Sequence, residues 1–475
     1  MSHSHIDQKE NNKKSITDII RNYFFKVNPV DYSHHNWEKW ELILFRFFFI
    51  FLSILIIPVD WKIFRDILSV NWFQSHLHDF FRLSKYQNEF INSHNLPIWG
   101  IAAFANWGFA FVIALAGTII WSYNDRSVTD YNVLYYWLRV IVRYRLAFVL
   151  ITYGFIKFFP LQMPFPSLSN LHTNYGDYYP WKIYFQTVGI APRYQSFLGF
   201  VEILAAFLII NRRTVTFGVG LIFGFIGNVA VVNGFYDVGE IVTSTFIVLL
   251  SVFLFSYDIP RLYRLLIHEL PTKGNQFIPN YSNQKLRTLR TTLRSLFLLF
   301  VLIFAYKSYD SYAHDPYKVP KTPGLSNAHG YYNVKTYVLN NDTISYSLIH
   351  PTRWHDVIFE KWSTISVKSN KPVDIDFGSG EVAAKKDIDR NYELAGLSGR
   401  HYYYYEIDSV KNILNLQNKN INHRNEKFSL SFDRPNDTTI ILKGRVDKND
   451  SIYVVLEKEE KKYMMFEGRR RPVKL

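Results

Sequence analysis

The chain of 475 residues contains no cysteine. This excludes disulfides, thiolate metal sites, cysteine-held iron–sulfur clusters and thiol redox chemistry by the chain itself. None of its 15 histidines falls in a segment apolar enough to span a bilayer, so a haem held by histidines within the membrane is not expected. A diffusible quinone is the redox partner compatible with these absences. Also lacking are a nucleotide-binding glycine loop, a catalytic-triad signature and a metal-ligand motif, and no metal site is expected. The net charge of +14 is spread along the chain without a basic stripe, which argues against a nucleic-acid partner. Residues 1–39 are polar, with no short apolar stretch before a small-residue cleavage site, so they read as a cytoplasmic tail and not a removable signal peptide.

Aromatic residues are abundant. They make up 18% of the chain, with 40 Phe and 33 Tyr, yet the mean hydropathy of −0.06 is close to zero. A very apolar region must therefore be offset by a polar one, as in a membrane part joined to a soluble part. The pattern predicts about seven spans. The first runs from Trp40 to Ile57 and the second from Gly100 to Trp121, within a region 40–133 whose Val59–Leu96 stretch reads as amphipathic helices at the interface. Four spans follow in 134–257: Leu134 to Phe159, Tyr194 to Ile210, Thr214 to Phe235 and Val238 to Tyr257. Between the first two of these lies a Pro- and Tyr-rich connection, 160–193, long enough to be a lid. Residues 258–310 hold a basic segment and a short seventh span, Leu293 to Tyr306.

Basic residues at Arg126, Arg139, Arg143, Arg212, Arg213, Arg261, Arg264 and onward to Arg294 share the side of the amino terminus. The positive-inside bias puts that side in the cytoplasm and the carboxyl terminus outside. From 311 to 475 the pattern changes to alternation broken by Asn, Asp and Gly turns. GYYNVKTYVL with TISYSLI, and TIILKGRVDKNDSIYVVLEK, read as hairpins; WSTISVKS, VDIDF, HYYYYEID and KFSLSFD read as further strands. A periplasmic β-sandwich or small barrel of about 150 residues is expected.

Ionisable residues inside apolar spans are costly and therefore candidates for function. From Arg145 to Lys157 a helix rises only about 18 Å, so at least one of the two must snorkel or be buried against protein. Measured from the outer boundary, Lys157 lies in the first turn, Glu202 roughly 12 Å down and Asn228 roughly 10 Å down, with Asn233, Asp237 and Glu240 near the surface. Lys157 and Glu202 could then neutralise each other, with Asn228 adding donors and an acceptor. Glycines at 199, 218, 220, 224 and 227 would permit close helix approach. Phe197, Phe200, Phe223 and Phe225 would supply apolar walls. The connection offers His172, Asp177 and Trp181 on the same side. The plain alternative is that these groups only glue the bundle together.

RYRLAFVLITYGFIKFF, closing on Gly154 and Lys157, resembles the first helix of the DoxX-like membrane family. GFVEILAAFLIINRR resembles its second, with the embedded glutamate at Glu202. The resemblance covers Tyr135 to Tyr257 and implies a four-helix core in a bacterial cytoplasmic membrane, linked in some members to quinone-dependent oxidation. The long outer loop and β domain look like the large Bacteroidetes-type version. Other members are implicated in thiol redox partnerships, which a chain without cysteine does not support. A further resemblance, to the vitamin-K-carboxylase-like membrane family, would place lysine chemistry only at Lys157. The expectation is a multi-pass inner-membrane protein with a lipid or quinone ligand at Lys157, Glu202, Asn228, Asn233, Asp237, Glu240, His172 and Trp181, and a β domain for a protein partner. A quinone-linked oxidoreductase subunit and a purely structural scaffold are the alternatives, and whether the chain is an enzyme stays open at this point.

Overall fold

The computed structural model describes residues 37–91, 100–272, 284–315, 317–378, 384, 386–446 and 450–468. The expected tail, apart from residues 37–39, and the last residues of the Val59–Leu96 stretch lie outside the described residues. The chain forms two compact units. The first comprises Met1–Tyr153, Val201–Val231 and Glu240–Tyr306; the second comprises Gly154–Phe200, Val232–Gly239 and Lys307–Leu475.

Helices dominate the first unit. They begin with α1 (Lys39–Ile56), α2 (Trp61–Ser69), α3 (Leu77–Ser84) and α4 (Ala105–Asn124). Next come α5 (Asn132–Phe158), α6 (Leu168–Leu171), α7 (Pro180–Gly189) and α8 (Pro192–Ile210), of which α6 and α7 lie in the second unit. The run ends with α9 (Val215–Phe235), α10 (Ile241–Ser256), α11 (Ile259–Leu266) and α12 (Gln284–Ala313).

Among the described residues, 5 helices are long and apolar enough to cross a membrane, or 6 if α10 and α11, bent by 66°, form one span. Helix α5 is not among them, since Arg139, Arg143, Arg145 and Lys157 interrupt it. The expected short seventh span is corrected to a helix of 30 residues. Its polar flank, Arg287 to Arg294, carries arginines and leucines that favour a helix, while the arginines lower the mean hydropathy.

Arg46, buried near the start of α1, ties the first helices together. It donates from Nε to the Tyr131 hydroxyl at 2.8 Å, from Nη1 to Ser122 Oγ at 2.9 Å and from Nη2 to the Asp125 carbonyl at 2.9 Å. Every arm of the guanidinium thus has a protein partner, which offsets the cost of burying it.

The second unit is built on nine strands. These are β1 (Gly330–Leu339), β2 (Asp342–Thr343), β3 (Asp356–Phe359), β4 (Thr364–Lys368), β5 (His401–Asp408), β6 (Ile413–Asn418), β7 (Lys427–Asp433), β8 (Thr439–Arg445) and β9 (Ser451–Glu459). Neighbours pair antiparallel from β3 through to β9, and β1 pairs with both β3 and β9. The ring therefore closes. Strand β2 pairs only with β1, which leaves eight of the nine strands in the barrel. Of the two expected architectures, the barrel is the one observed.

Alternation sets its interior. Tyr332, Val357, Phe359, Ile365, Tyr405, Leu414, Leu430, Leu442, Val454 and Leu456 are fully buried in one cluster. Closure removes both sheet edges, and the interior is packed with side chains instead of enclosing a ligand. The β8–β9 hairpin follows its expected register, Thr439 opposite Glu457 through Arg445 opposite Ser451. The first hairpin does not. Asn340 and Asn341 take positive φ of 52° and 71° at its turn, but the return strand stops at Thr343. VDIDF forms no strand, while DVIF and ILNLQN do, as β3 and β6.

Candidate functional site

In the first unit, the amphipathic stretch brings charge onto the helices. The Ser84 hydroxyl bonds Thr152 Oγ1 at 3.0 Å, and Phe81 meets Tyr153 edge-on at 5.2 Å. Thr152 stands about 9 Å short of the end of α5, so α3 reaches below the level of that end. Arg145, at the middle of α5, stretches toward it and donates to the Ser84 carbonyl at 2.8 Å and to the Tyr86 carbonyl. The Ser84 carbonyl is the last of α3 and that of Tyr86 lies just past its cap, a helix end where a cation is favoured. Arg145 therefore caps α3. The requirement that a charge in α5 be buried against protein is met here.

One turn further, Lys85 forms an ion pair with Glu240, whose other oxygen accepts from the Tyr153 hydroxyl at 3.1 Å. The Lys85 ammonium also lies over the Phe81 ring, 5.2 Å from its centroid. Side-chain exposures of 22% for Lys85 and 17% for Glu240 leave the pair partly accessible. An ammonium, a carboxylate and a phenol in mutual contact can hydrogen-bond a carbonyl or hydroxyl, or pass a proton between them. Glu240 was singled out in the sequence. Lys85 and Tyr153 were not, because the segment holding Lys85 read as surface and a tyrosine in an apolar span carries no signal of its own.

The other candidates are spread over both units. Lys157 is buried in the second unit and Glu202 is buried in the first. Asn228, expected to face inward, is exposed. A π turn at Ile222–Ile226 interrupts α9 just before it. The added residue rotates the rest of α9 by about 100° relative to an uninterrupted helix, so a reading based on an even 3.6-residue period misplaces Asn228. Phe197, Phe200 and Phe225 are likewise exposed. Gly199 does lie at a close approach, since a Cβ there would collide with backbone atoms of Gly154, Lys157 and Phe158; nothing approaches Gly220 or Gly224.

In the second unit, Asn233 is buried, Asp237 is exposed with φ of 50°, and Val238 turns inward onto Trp181. Trp181 packs in an apolar cluster with Met163, Phe185, Val188, Tyr392 and Ala395. His172 stacks on Tyr331 at 3.9 Å and shares a 2.7 Å hydrogen bond with the Tyr463 hydroxyl. Burial, with the charges of Lys461 and Arg400, pushes its pKa down to about 4.

The same segment, expected as a lid, is strapped to the barrel by hydrogen bonds. Glu360, on the outer side of β3, accepts from the Leu168 amide at 3.2 Å, the Ser169 amide at 2.8 Å and the Ser169 hydroxyl at 2.6 Å. Asn170 donates to the Glu393 carbonyl, and Tyr178 and Leu397 form a β-bridge. Around this strap lies a buried network. Lys419 pairs with Glu393 at 2.6 Å, Glu393 also accepts from Trp362 and Thr364, and Arg400 pairs with Asp356 at 2.6 Å. Sequence reading missed this network because only Asp356 and Thr364 sit on strands, while Trp362, Glu393, Arg400 and Lys419 lie in loops or just outside strand ends and come from distant parts of the chain. The structure buries every residue of DVIF and TISV, the polar Asp356, Thr364 and Ser366 included.

The helices mark a membrane-embedded protein, and the second unit carries a closed eight-stranded barrel. Comparison with protein-family models gives no match, and none is found among curated proteins or solved structures.

Proposed function

We propose that this chain is a multi-pass protein of a bacterial cytoplasmic membrane, of the DoxX-like kind, whose helical part binds a lipid-soluble ligand, a quinone or a lipid, and whose barrel engages a protein partner on the periplasmic side. In this reading there are seven spans, counting α5 and the bent α10–α11 pair, with the amino terminus in the cytoplasm. The observation that carries the ligand is the accessible Lys85–Glu240 pair with the Tyr153 phenol, held in place by Arg145. Charges placed among membrane helices are expensive to keep, and a pair that bonds a third polar group while remaining reachable favours a ligand over simple packing. The packed barrel interior supports binding through the barrel's outer surface.

The test is to extract and identify, by mass spectrometry, the lipid-soluble compounds that copurify with wild type and with Glu240→Gln, Lys85→Met and Glu202→Gln. Loss of a quinone or a specific lipid in Glu240→Gln and Lys85→Met supports the reading, and equal occupancy in all four proteins overturns it. Quinone reduction by the purified protein with a supplied donor, abolished by Glu240→Gln, would instead make it an oxidoreductase subunit.

A further inference from the structure

We propose that an open groove at one rim of the barrel binds a phosphate-bearing ligand. The groove, of about 370 Å³, lies where β1 begins and β9 ends, with Leu168 of the strap as one wall. This volume suits a small organic ligand and exceeds what inorganic phosphate needs.

Three cations line it. Lys458, Lys461 and Lys462 all face the groove, and among the described residues none of them is in an ion pair. Buried cations elsewhere in the same unit include Lys419, paired with Glu393, Arg400, paired with Asp356, and Arg390, paired with Asp315. Two acids also line the groove, Glu459, which accepts from Asn333 at 2.8 Å, and the exposed Glu460, so the three lysines leave an excess of one positive charge. Lysine ammonium groups are mobile point charges that can each reach a different oxygen of one phosphate.

Room for Lys458 is built into the backbone. A Cβ on Gly330 would meet the Lys458 side chain at 2.6 Å, so the glycine lets the lysine lie across the start of β1. The polar lining extends recognition beyond charge. His329 points Nδ1 at the Phe359 carbonyl, 3.0 Å away, so that nitrogen carries the proton and Nε2 is left as an acceptor for a ligand hydroxyl. Lys461 lies over the Tyr331 ring, 6.0 Å from its centroid, a contact that a bound anion can replace. A phosphate ester of a polyol matches this set: an anion for the lysines and hydroxyls for His329. Both an anionic phospholipid headgroup and a soluble phosphate ester carry that chemistry.

Full-length protein in detergent is titrated with dihexanoyl phosphatidylglycerol, glycerol 1-phosphate and dihexanoyl phosphatidylcholine. The same titrations are run on Lys458→Gln/Lys461→Gln, on Lys461→Gln alone, which changes one exposed side chain, and on Lys335→Gln, whose lysine pairs with Glu457 outside the groove lining. Saturable binding of at least one anionic phosphate is expected, weakened at least tenfold in the double variant, weakened in the single variant and unchanged in Lys335→Gln. Tighter binding of phosphatidylglycerol assigns the groove to a lipid headgroup, and equal or tighter binding of glycerol 1-phosphate assigns it to a soluble ester. No binding of either, phosphatidylcholine binding as well as phosphatidylglycerol, or wild-type affinity in the Lys461→Gln protein overturns the proposal.

Discussion

Replacing Glu360 by Ala tests whether the connection after α5 is a fixed strap or a movable lid. The carboxylate is buried, at 2% exposure, and accepts from two backbone amides and one hydroxyl of the strap. The Ser169 hydroxyl has a second partner in Ser366 at 2.7 Å, so its loss is small. The amides of Leu168 and Ser169 have no such reserve, and each buried donor left unmade costs about 1–3 kcal/mol. Against that stands the cost of burying the carboxylate, which raises the pKa of Glu360 above its usual value. The balance is a destabilisation of about 2–4 kcal/mol, or about 4–16 °C in Tm for a unit of this size.

The pH dependence sharpens the test. A carboxyl whose folded pKa is raised is a burden at neutral pH that is relieved as pH falls through that raised value toward 4.5. Wild type gains this relief and Glu360→Ala does not, so the deficit of the variant should widen on acidification. Thermal unfolding of the full-length protein from about pH 7 down to pH 4.5, with hydrogen exchange on the peptide spanning Leu168 and Ser169, measures both effects. Wild-type exchange at these amides as fast as in an exposed loop, or no change in Tm on substitution, would refute the strap. A deficit that narrows on acidification would show that the hydrogen bonds outweigh burial at Glu360.

Two other buried cations predict opposite outcomes. Lys419→Met leaves Glu393 buried without its cation and should cost about 3–5 kcal/mol, whereas Lys371→Ala, which removes an exposed pair with Glu426, should cost under about 1 kcal/mol. Denaturant titration of the two variants separates them. Lys182 is fully buried against the Tyr392 carbonyl and ring with Lys318 nearby, and burial depresses its pKa well below 10.5. Lys182→Met should therefore raise Tm, by most at low pH, with the advantage shrinking as pH rises toward 10.5, because wild type regains stability over that window. A lower Tm for Lys182→Met at every pH would show that the bond to Tyr392 outweighs the burial cost.

What the sequence made legible divides along physical lines. Apolar runs fix α1, α4, α8 and α9 to within a few residues, since burial of such runs is decided by composition. Regular alternation likewise locates β1, β5, β7, β8 and β9. Features that depend on a partner distant in the chain escape it. Strand β3 is only DVIF, apolar on one side and acidic at both ends of the segment through Asp356 and Glu360, and its strand identity comes from pairing with β1 and β4. The candidate site shows the same split. Glu240 is conspicuous because it is charged beside an apolar run, yet its partners lie 155 and 87 residues away in Lys85 and Tyr153.

Asn228 marks a different limit, because its depth along α9 can be counted while its direction depends on a local π turn. Helix rise fixes height and helix phase fixes facing, and one inserted residue shifts height by about 1.5 Å but facing by about 100°. A polar residue in a long apolar helix is therefore a sound guide to level and a poor guide to partner. Of the residues assigned to one level, Glu240 meets Lys85 and Tyr153, which the sequence did not single out, while Asn228 is exposed.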